Sequence, residues 1–385
     1  MKVPCSIRLF CFTYPPVNGG SEIEAQRVSC ALRALEYKVT VVCGGGPPMP
    51  PASHWIDPFG TPVRIVGNSL SERWRPYAYA LAVLWELISR FHDYELAYFL
   101  MPGLQVLFGV PMARLLGKRV VMKFSGSNEV RRLTHSATGR AELFLLRHLA
   151  HRVMILNPGI REEALEAGFR PEQLVWMPNP VDADFFSPCA EREKAGLRRQ
   201  LGVPLDARIV LFVGRFAPEK ELPTLIGAFA QVAASLPQAQ LVLAGDGPMR
   251  PDLEALVKSR GLVSRVIFTG RLSVESVRDW MRAADAFTLV SSLEGFPVAL
   301  IESMAAGLAP VVTDIPANLQ IVEDRRNGLV ASLRNEESIA HAILDLLNSP
   351  AQCASLATEG RKMISLKYSN AEIMGHYEAM FRSLP

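Results

Sequence analysis

The sequence predicts an α/β fold built from parallel sheets and repeated in the two halves of the chain. Three observations carry that expectation. Short apolar runs rich in β-formers, such as Ile7–Phe12 and Ile209–Val213, each break into a glycine-containing loop and then into helical spacing. These runs are mostly apolar, Ile7–Phe12 being interrupted only by Arg8, which suits strands of a buried parallel sheet. The length, 385 residues, exceeds one ordinary core and points to two domains.

The first strand, Ile7–Phe12, runs into Tyr14-Pro15-Pro16-Val17-Asn18-Gly19-Gly20, and helical spacing begins near Ser21 through Ala25, Val28, Ala31 and Leu35. Gly19-Gly20 lets backbone approach a ligand closely at a helix amino end. No Gly-x-Gly-x-x-Gly accompanies the pair, so a dinucleotide site is not indicated. Val39–Cys43 is the next strand, which completes the opening of a Rossmann-like domain. Gly44–Pro62, rich in proline and glycine, reads as a surface loop. Leu81–Phe91 and Leu104–Leu116 read as helices, Leu96–Leu100 and Arg119–Phe124 as strands, and Ser125–Glu129 as a loop. Arg131–His151 reads as one basic helix whose charge suits a solvated face or a lipid-phosphate acceptor equally. Its histidines read as surface residues. Val153–Leu156 and Val175–Met177 continue the strands, and Met177–Pro188, with three prolines, is the expected interdomain connection.

The second half opens with Ile209–Val213 and a helix striped by Leu222, Leu225, Ile226, Phe229 and Val232. Leu241–Ala244 and Val266–Thr269 follow as strands. Residues 285–314 then read as strand, loop, helix, strand. Phe287–Val290 is the strand and Ser291–Gly295 the loop. Pro297 falls in the first helical turn, Gly307 stops the helix, and Pro310 enters the next strand. Glu294 lies in the loop at the carboxyl end of the strand, with Glu302 eight positions on in the helix. Ligands of open α/β sheets bind at that edge, and a helix amino end there suits an anion. As a pair in isolation, a loop glutamate and a helix glutamate carry little weight.

Composition bounds the rest. Hydrophobic content of 49% with 21% charged residues is that of a well-packed enzyme, not a disordered chain. Net charge is +3, with 20 Lys+Arg against 14 Asp+Glu in residues 1–180 and 21 against 24 in the remainder. That basic half suits an anionic acceptor or a peripheral contact with the inner membrane surface, although ordinary surface charge explains it as well. Nucleic acid is not an expected partner, because no stretch has the required cation density. Six scattered cysteines without a Cys-x-x-Cys pair read as reduced thiols. With no secretory signal read at the start, the expectation is a cytoplasmic protein, peripheral at a membrane if the basic half is used. The most apolar helical stretch, Tyr77–Ile88, is interrupted by Glu86 and too short to span a bilayer.

EGFPVALIES followed by MAAGLAPVV resembles the Glu-x7-Glu motif of the retaining glycosyltransferases of family 4, the glycosyl transferases group 1. The match is carried by Glu294, Gly295, Phe296, Pro297, Glu302, Ala305, Gly307 and Pro310. GRFAPEKEL resembles the diphosphate loop of the same family, with Glu221 in place of the glycine expected after Lys220. The resemblance covers nearly the whole chain, strongly over 205–330 and weakly over 45–150. It implies the GT-B architecture, two Rossmann-like β/α/β domains facing across a cleft. Residues 1–182 would bind acceptor and 183–366 the nucleotide sugar. Residues 367–385 (from KYSNAEIMGHYEAMF) would return as a helix to the amino-terminal domain.

The resemblance also implies roles. Gly214, Arg215 and Lys220 would clamp the donor diphosphate, an arrangement suited to cations at a strand's carboxyl end. Glu294 would hydrogen-bond donor-sugar hydroxyls, and with Arg215 and Lys220 it forms the expected catalytic set. Glu302 would hold the ribose. The backbone of Gly295, Phe296, Pro297 and Val298 would meet phosphate oxygens, completed by Gly19 and Gly20. Many relatives carry a histidine and a His-Gly pair after the fifth strand of the amino-terminal domain; here that place holds Phe124-Ser125-Gly126-Ser127-Asn128-Glu129. Ser125, Gly126 and Asn128 are the expected sugar or acceptor contacts, with Glu129 beside them. Asp182-Ala183-Asp184 matches a metal motif of a different fold but lies in PNPVDADFFSP, which resembles the family's connector. No metal and no cofactor is expected; the donor is a substrate.

The expected function is metal-independent, retaining transfer of a sugar from a nucleotide-diphosphate sugar to a hydroxyl acceptor. That acceptor is a glycan or lipid-linked saccharide, as in polysaccharide or cell-surface glycan biosynthesis. The alternatives are a same-fold nucleotide-sugar epimerase or glycogen-type synthase, and a catalytically silent nucleotide-sugar-binding subunit of a glycosylation complex.

Overall fold

Two sheets form because the apolar runs pair in parallel and are covered on both faces by the helices between them. The computed structural model describes residues 6–16, 20–45, 53–67 and 71–385. The chain divides into two compact units, Met1–Asn179 with Ala371–Pro385, and Pro180–Asn370.

Among the described residues, the first unit holds eight strands: β1 (Ser6–Cys11), β2 (Lys38–Gly44), β3 (His54–Ile56), β4 (Pro62–Val66), β5 (Leu96–Phe99), β6 (Arg119–Phe124), β7 (Arg152–Ile155) and β8 (Leu174–Trp176). Their order is β3-β4-β2-β1-β5-β6-β7-β8. All neighbours are parallel except β3 and β4, with Leu9 opposite Val41 and Tyr98 across β1. The order reverses at β1, so the loops after β1 and β5 diverge at one edge. The closing helix, Asn370–Arg382, belongs to this unit's core. Ile373, Tyr377 and Phe381 are buried among Leu9, Val41, Tyr98 and Met154. Each such side chain contributes about 2 kcal/mol of apolar burial.

The second unit holds six strands among the described residues: β9 (Arg208–Val213), β10 (Ala239–Ala244), β11 (Val266–Gly270), β12 (Ala286–Leu289), β13 (Ala309–Thr313) and β14 (Leu329–Ala331). The order β11-β10-β9-β12-β13-β14 is parallel throughout. Here the reversal lies between β9 and β12, so their carboxyl-end loops flank the crevice where such sheets bind ligands. The helix Val298–Ala305 follows β12 with Pro297 as its N-cap residue, and Gly307 closes it at φ +84°.

Three local expectations are corrected. The Gly44–Pro62 stretch contains β3, an edge strand too exposed to show an apolar run. The helix expected to start at Leu81 starts at Arg75, with Pro76 in its first turn, where a missing N–H costs nothing. Arg131–His151 is two helices, Glu129–Thr134 and Ala137–Leu149. Ser136 caps the second, its Oγ accepting from Gly139 N at 3.0 Å. A Cβ on Gly139 would strike the Leu133 backbone, so the two helices meet too closely for any other residue there. Cys11, Cys30, Cys43, Cys189 and Cys353 are free thiols, and burial pushes Cys43 up to about 12.

Candidate functional site

The loop after β9 is set by glycine and by a tight turn. A Cβ on Gly214 would press on the Phe212 ring, and Gly214 N–H donates to Ala244 O at 3.0 Å. Phe216 N–H then donates to Asp246 O at 2.9 Å, which ties this loop to the one after β10. Pro218–Lys220 forms a 3-10 turn and Glu221, at φ 51°, starts the next helix. Arg215 leaves this loop with its side chain 70% exposed, paired to Glu219 Oε1 at 2.9 Å. Lys220 turns the other way, into the protein.

The loop after β12 meets it. Ser292 N–H donates to Glu219 O at 2.8 Å, a direct stitch between the two loops at the sheet's reversal point. Lys220 Nζ lies 2.6 Å from Glu294 Oε1, with both side chains mostly buried. Ser291 Oγ donates to the same Glu294 oxygen, also at 2.6 Å. Behind them Thr313 Oγ1 donates to Ser291 O at 2.6 Å, and Asn318 Nδ2 donates to Thr313 O at 3.0 Å. The glutamate is therefore held by a cation and a hydroxyl, and that hydroxyl's own backbone is held from β13.

Glu302 is buried in the helix Val298–Ala305, whose amino end faces the same loop. Phe296 is buried with its ring 5.8 Å from that of Tyr368. In the Gly295–Val298 stretch, Pro297 has no N–H. Val298 N–H turns onto Phe296 O at 3.0 Å. Gathered at one edge of this unit are thus Gly214, Arg215, Lys220, Glu294, Gly295, Phe296, Pro297, Val298 and Glu302, although Arg215 points to solvent.

In the first unit, Gly20 is the first residue of the helix Gly20–Ala34, while Gly19 lies outside the described residues. The loop after β6 is closed by Glu129, whose Oε2 accepts from Ser125 N at 2.9 Å and Gly126 N at 3.1 Å. Burial raises the Glu129 carboxyl above its ordinary range, against the pull of those two N–H groups. Ser125 Oγ is buried with no hydrogen-bond partner among the described residues. Asn128 is exposed at φ 59°, its N–H donating to Glu163 Oε1 at 3.0 Å. Glu129 thus shapes the loop, with Asn128 exposed on it and the Ser125 hydroxyl buried beneath it. Asp182 Oδ1 caps its own turn, accepting from Phe185 N at 2.9 Å and Asp184 N at 3.2 Å, a structural use of the Asp-Ala-Asp run.

Two features escaped the sequence reading. Ser291 sits in a run of small residues with nothing to mark it. Lys123, fully buried in β6, forms an ion pair with Glu24 and donates to Asn179 Oδ1 at 2.9 Å. Burial works against its charge, but Glu24 and Tyr377 outweigh that and hold the ammonium above its ordinary range. The available signal was a lysine inside an apolar strand.

Comparison with known proteins decides the family. Residues 18–185 match the model of Glycosyltransferase Family 4, and residues 193–363 that of Glycosyl transferases group 1. The chain is a family 4 glycosyltransferase. This glycosyltransferase is 29% identical over 282 residues to the alpha-D-kanosaminyltransferase of Streptomyces kanamyceticus, covering 71% of this chain and 72% of that one. It is 31% identical over 229 residues to the lipopolysaccharide core biosynthesis glycosyltransferase LpsE of Rhizobium meliloti, 60% of this chain and 63% of that protein. Other curated relatives are matched over about half their length, such as the Methanocaldococcus jannaschii glycosyltransferase MJ1607 at 56%. In fold, the glycosyltransferase matches Anabaena Alr3699/HepE, solved with UDP and glucose. The TM-score is 0.82 at 20% identity, over 99% of this chain and 100% of that one. These comparisons make the architecture GT-B.

Proposed function

We propose that this glycosyltransferase moves a sugar from a nucleotide-diphosphate sugar to a hydroxyl acceptor, with retention of anomeric configuration and without a metal ion. The observation that carries the reading is the Lys220–Glu294 contact at 2.6 Å, where the loops after β9 and β12 meet at the sheet's reversal point. A cation and a carboxylate meet there, with Ser291 on the same carboxylate oxygen, and a bound donor offers each a further partner of matching charge or hydrogen-bonding sense. Phosphate oxygens would take the lysine, and sugar hydroxyls would donate to the carboxylate.

In this reading Arg215 swings from Glu219 onto the diphosphate, and Lys220 meets the second phosphate. The bond from the anomeric carbon to the phosphate oxygen breaks as the acceptor oxygen attacks the same face. The acceptor proton passes to the departing phosphate oxygen. Arg215 and Lys220 stabilise the charge that develops on the diphosphate, the electrostatic contribution that usually dominates such catalysis. Glu294 orients the sugar, Glu302 the ribose, and Ser291 keeps Glu294 in place. Ser125 and Asn128, after β6, would contact the sugar or acceptor. The acceptor class that fits is a glycan or lipid-linked saccharide, in the manner of the relative named for lipopolysaccharide core biosynthesis.

The test is a thermal-shift screen of nucleotide sugars with and without EDTA, since a ligand of the folded state raises the melting temperature. Turnover with the donor so identified is then followed by NMR. One EDTA-insensitive donor and an axial-to-axial or equatorial-to-equatorial product support the reading. An inverted product, or loss of transfer with EDTA, refutes the corresponding part of it. A stabilising nucleotide sugar that is never transferred indicates a silent binding subunit.

A further inference from the structure

The helix Arg75–Ser89 buries Tyr79, Ala80, Val83, Glu86 and Leu87 against the first unit. Its outer face carries Trp74, Tyr77, Leu81, Trp85 and Ile88 at helical spacing, all exposed, with Leu81 at 63% and Trp85 at 70%. A helix bordered by water normally bears charge on that face. Here the only charged residue between Pro76 and Ser89 is Glu86, and it points inward to Arg64 at 3.0 Å and Arg8 at 3.7 Å. The helix Leu104–Leu115 packs beside it and extends the surface with Phe108 and Leu115, the latter 81% exposed. Exposed apolar side chains gathered on two packed helices mark an interaction site.

Charge around the face selects its occupant. Between residues 71 and 119 the charges that are not buried are Arg73, Arg75, Arg90, Arg114, Lys118 and Arg119 against Glu72, Asp93 and Glu95. Uncharged aromatic and aliphatic side chains flanked along the chain by an excess of basic residues match the boundary between acyl chains and anionic headgroups, where Trp and Tyr rings concentrate. The helix is 15 residues long, which suits lying in that plane. No helix among the described residues is long and apolar enough to cross a membrane.

We propose that the outer face of Arg75–Ser89, with Phe108 and Leu115, docks this glycosyltransferase on an anionic lipid bilayer. The docking is independent of the donor-site reading, because it rests on different residues of a different unit. It would bring the acceptor-facing half of the chain to a surface on which a lipid-linked saccharide is presented.

The experiment is flotation of the full chain with vesicles of phosphatidylcholine alone and with about a quarter phosphatidylglycerol. The wild type is expected to float with the anionic vesicles and to show a blue shift of tryptophan emission, since Trp74 and Trp85 are two of the five tryptophans. Leu81→Glu/Trp85→Glu should lower binding about tenfold or more, as should raised salt to a lesser degree. Leu115→Glu, at a separate exposed position, is the check should the double variant fold poorly. Absence of flotation with either vesicle overturns the proposal, as does unchanged flotation of both variants. A concentration-dependent dimer abolished by the same substitutions, without vesicle binding, assigns the face to a second copy of the chain instead.

Discussion

Glu221 and Arg334 both occupy the left-handed backbone region, at φ 51° and φ 58°, and are joined to each other across the second unit. Arg334 Nη2 and Nε lie 2.7 and 2.8 Å from Glu221 Oε1. The family pattern has glycine at the first of these positions, and the reason is visible: residue 221 ends the 3-10 turn and starts a helix with φ positive. Glycine takes that conformation freely, whereas a residue with a Cβ does so at a cost of roughly 1–2 kcal/mol.

Glu221→Gly should therefore leave stability nearly unchanged. The backbone strain it relieves is offset by greater freedom of the unfolded chain and by loss of an exposed ion pair worth at most about 1 kcal/mol. Glu221→Val, which keeps the strain and loses the pair, should cost more than about 1 kcal/mol. Urea unfolding of the three proteins gives the comparison. A Gly variant as unstable as the Val variant would show that the arginine contact, not the backbone, governs this turn.

Glu294→Ala and Arg215→Ala should each lower kcat/KM for transfer by about a hundredfold or more. Arg215 is 70% exposed and its loss should leave the melting temperature unchanged. Ser291→Ala, which removes only the hydroxyl holding Glu294, should have a smaller effect than Glu294→Ala. Steady-state kinetics with the donor found by thermal shift provides the measurement. Wild-type turnover in either of the first two variants refutes the site.

Lys123→Met removes a buried cation and strands the Glu24 carboxylate, a change expected to cost about 3–5 kcal/mol. Glu24→Gln/Lys123→Met should recover a substantial part, because the cost lies in the uncompensated charge. Tyr377→Phe, which loses the hydroxyl facing Tyr98 at 3.2 Å, should cost about 1 kcal/mol. The double-mutant cycle, measured by denaturant unfolding, distinguishes this from simple loss of packing. Additive single effects would mean that the ion pair contributes nothing of its own.

Stability should fall in mild acid because of His151. Burial and the nearby Arg114 hold this imidazole down to about 4 in the folded chain, while Val120 N donates to its Nδ1 at 2.9 Å. The unfolded chain takes up a proton near the ordinary histidine value of about 6.5. With folded pKa below unfolded, the contribution is complete above about pH 6.5 and is lost as pH falls towards 4. His151→Gln should flatten that segment of the stability–pH curve. An unchanged slope between pH 6.5 and 4.5 would place the acid sensitivity elsewhere.

Much of the donor-side candidate site was legible in the chain. Gly214-Arg215, Lys220, Glu294 and Glu302 sit in loops and a helix whose boundaries follow from local apolar runs, proline and glycine. The amino-terminal half was read less well. A lone edge strand such as His54–Ile56 has no apolar alternation to reveal it, since it is exposed and paired on one side only. The break between Thr134 and Ala137 depends on a Ser136 cap and on how closely two helices pass at Gly139. Charge on the Arg131–His151 stretch masked that break.

By itself the sequence determined the strand–helix alternation in outline and the residues eligible for chemistry, because each depends on contacts within a few positions of the chain. Tertiary structure alone decided which of them meet. Strand order places the loops after β9 and β12 side by side, so Lys220 finds Glu294 from 74 positions away. The same long-range packing turned Glu86 inward, left Trp85 outward and buried Lys123 against a glutamate from the first helix. Pairings of that kind follow from which faces are covered when the sheets close, and no local pattern in the chain encodes them.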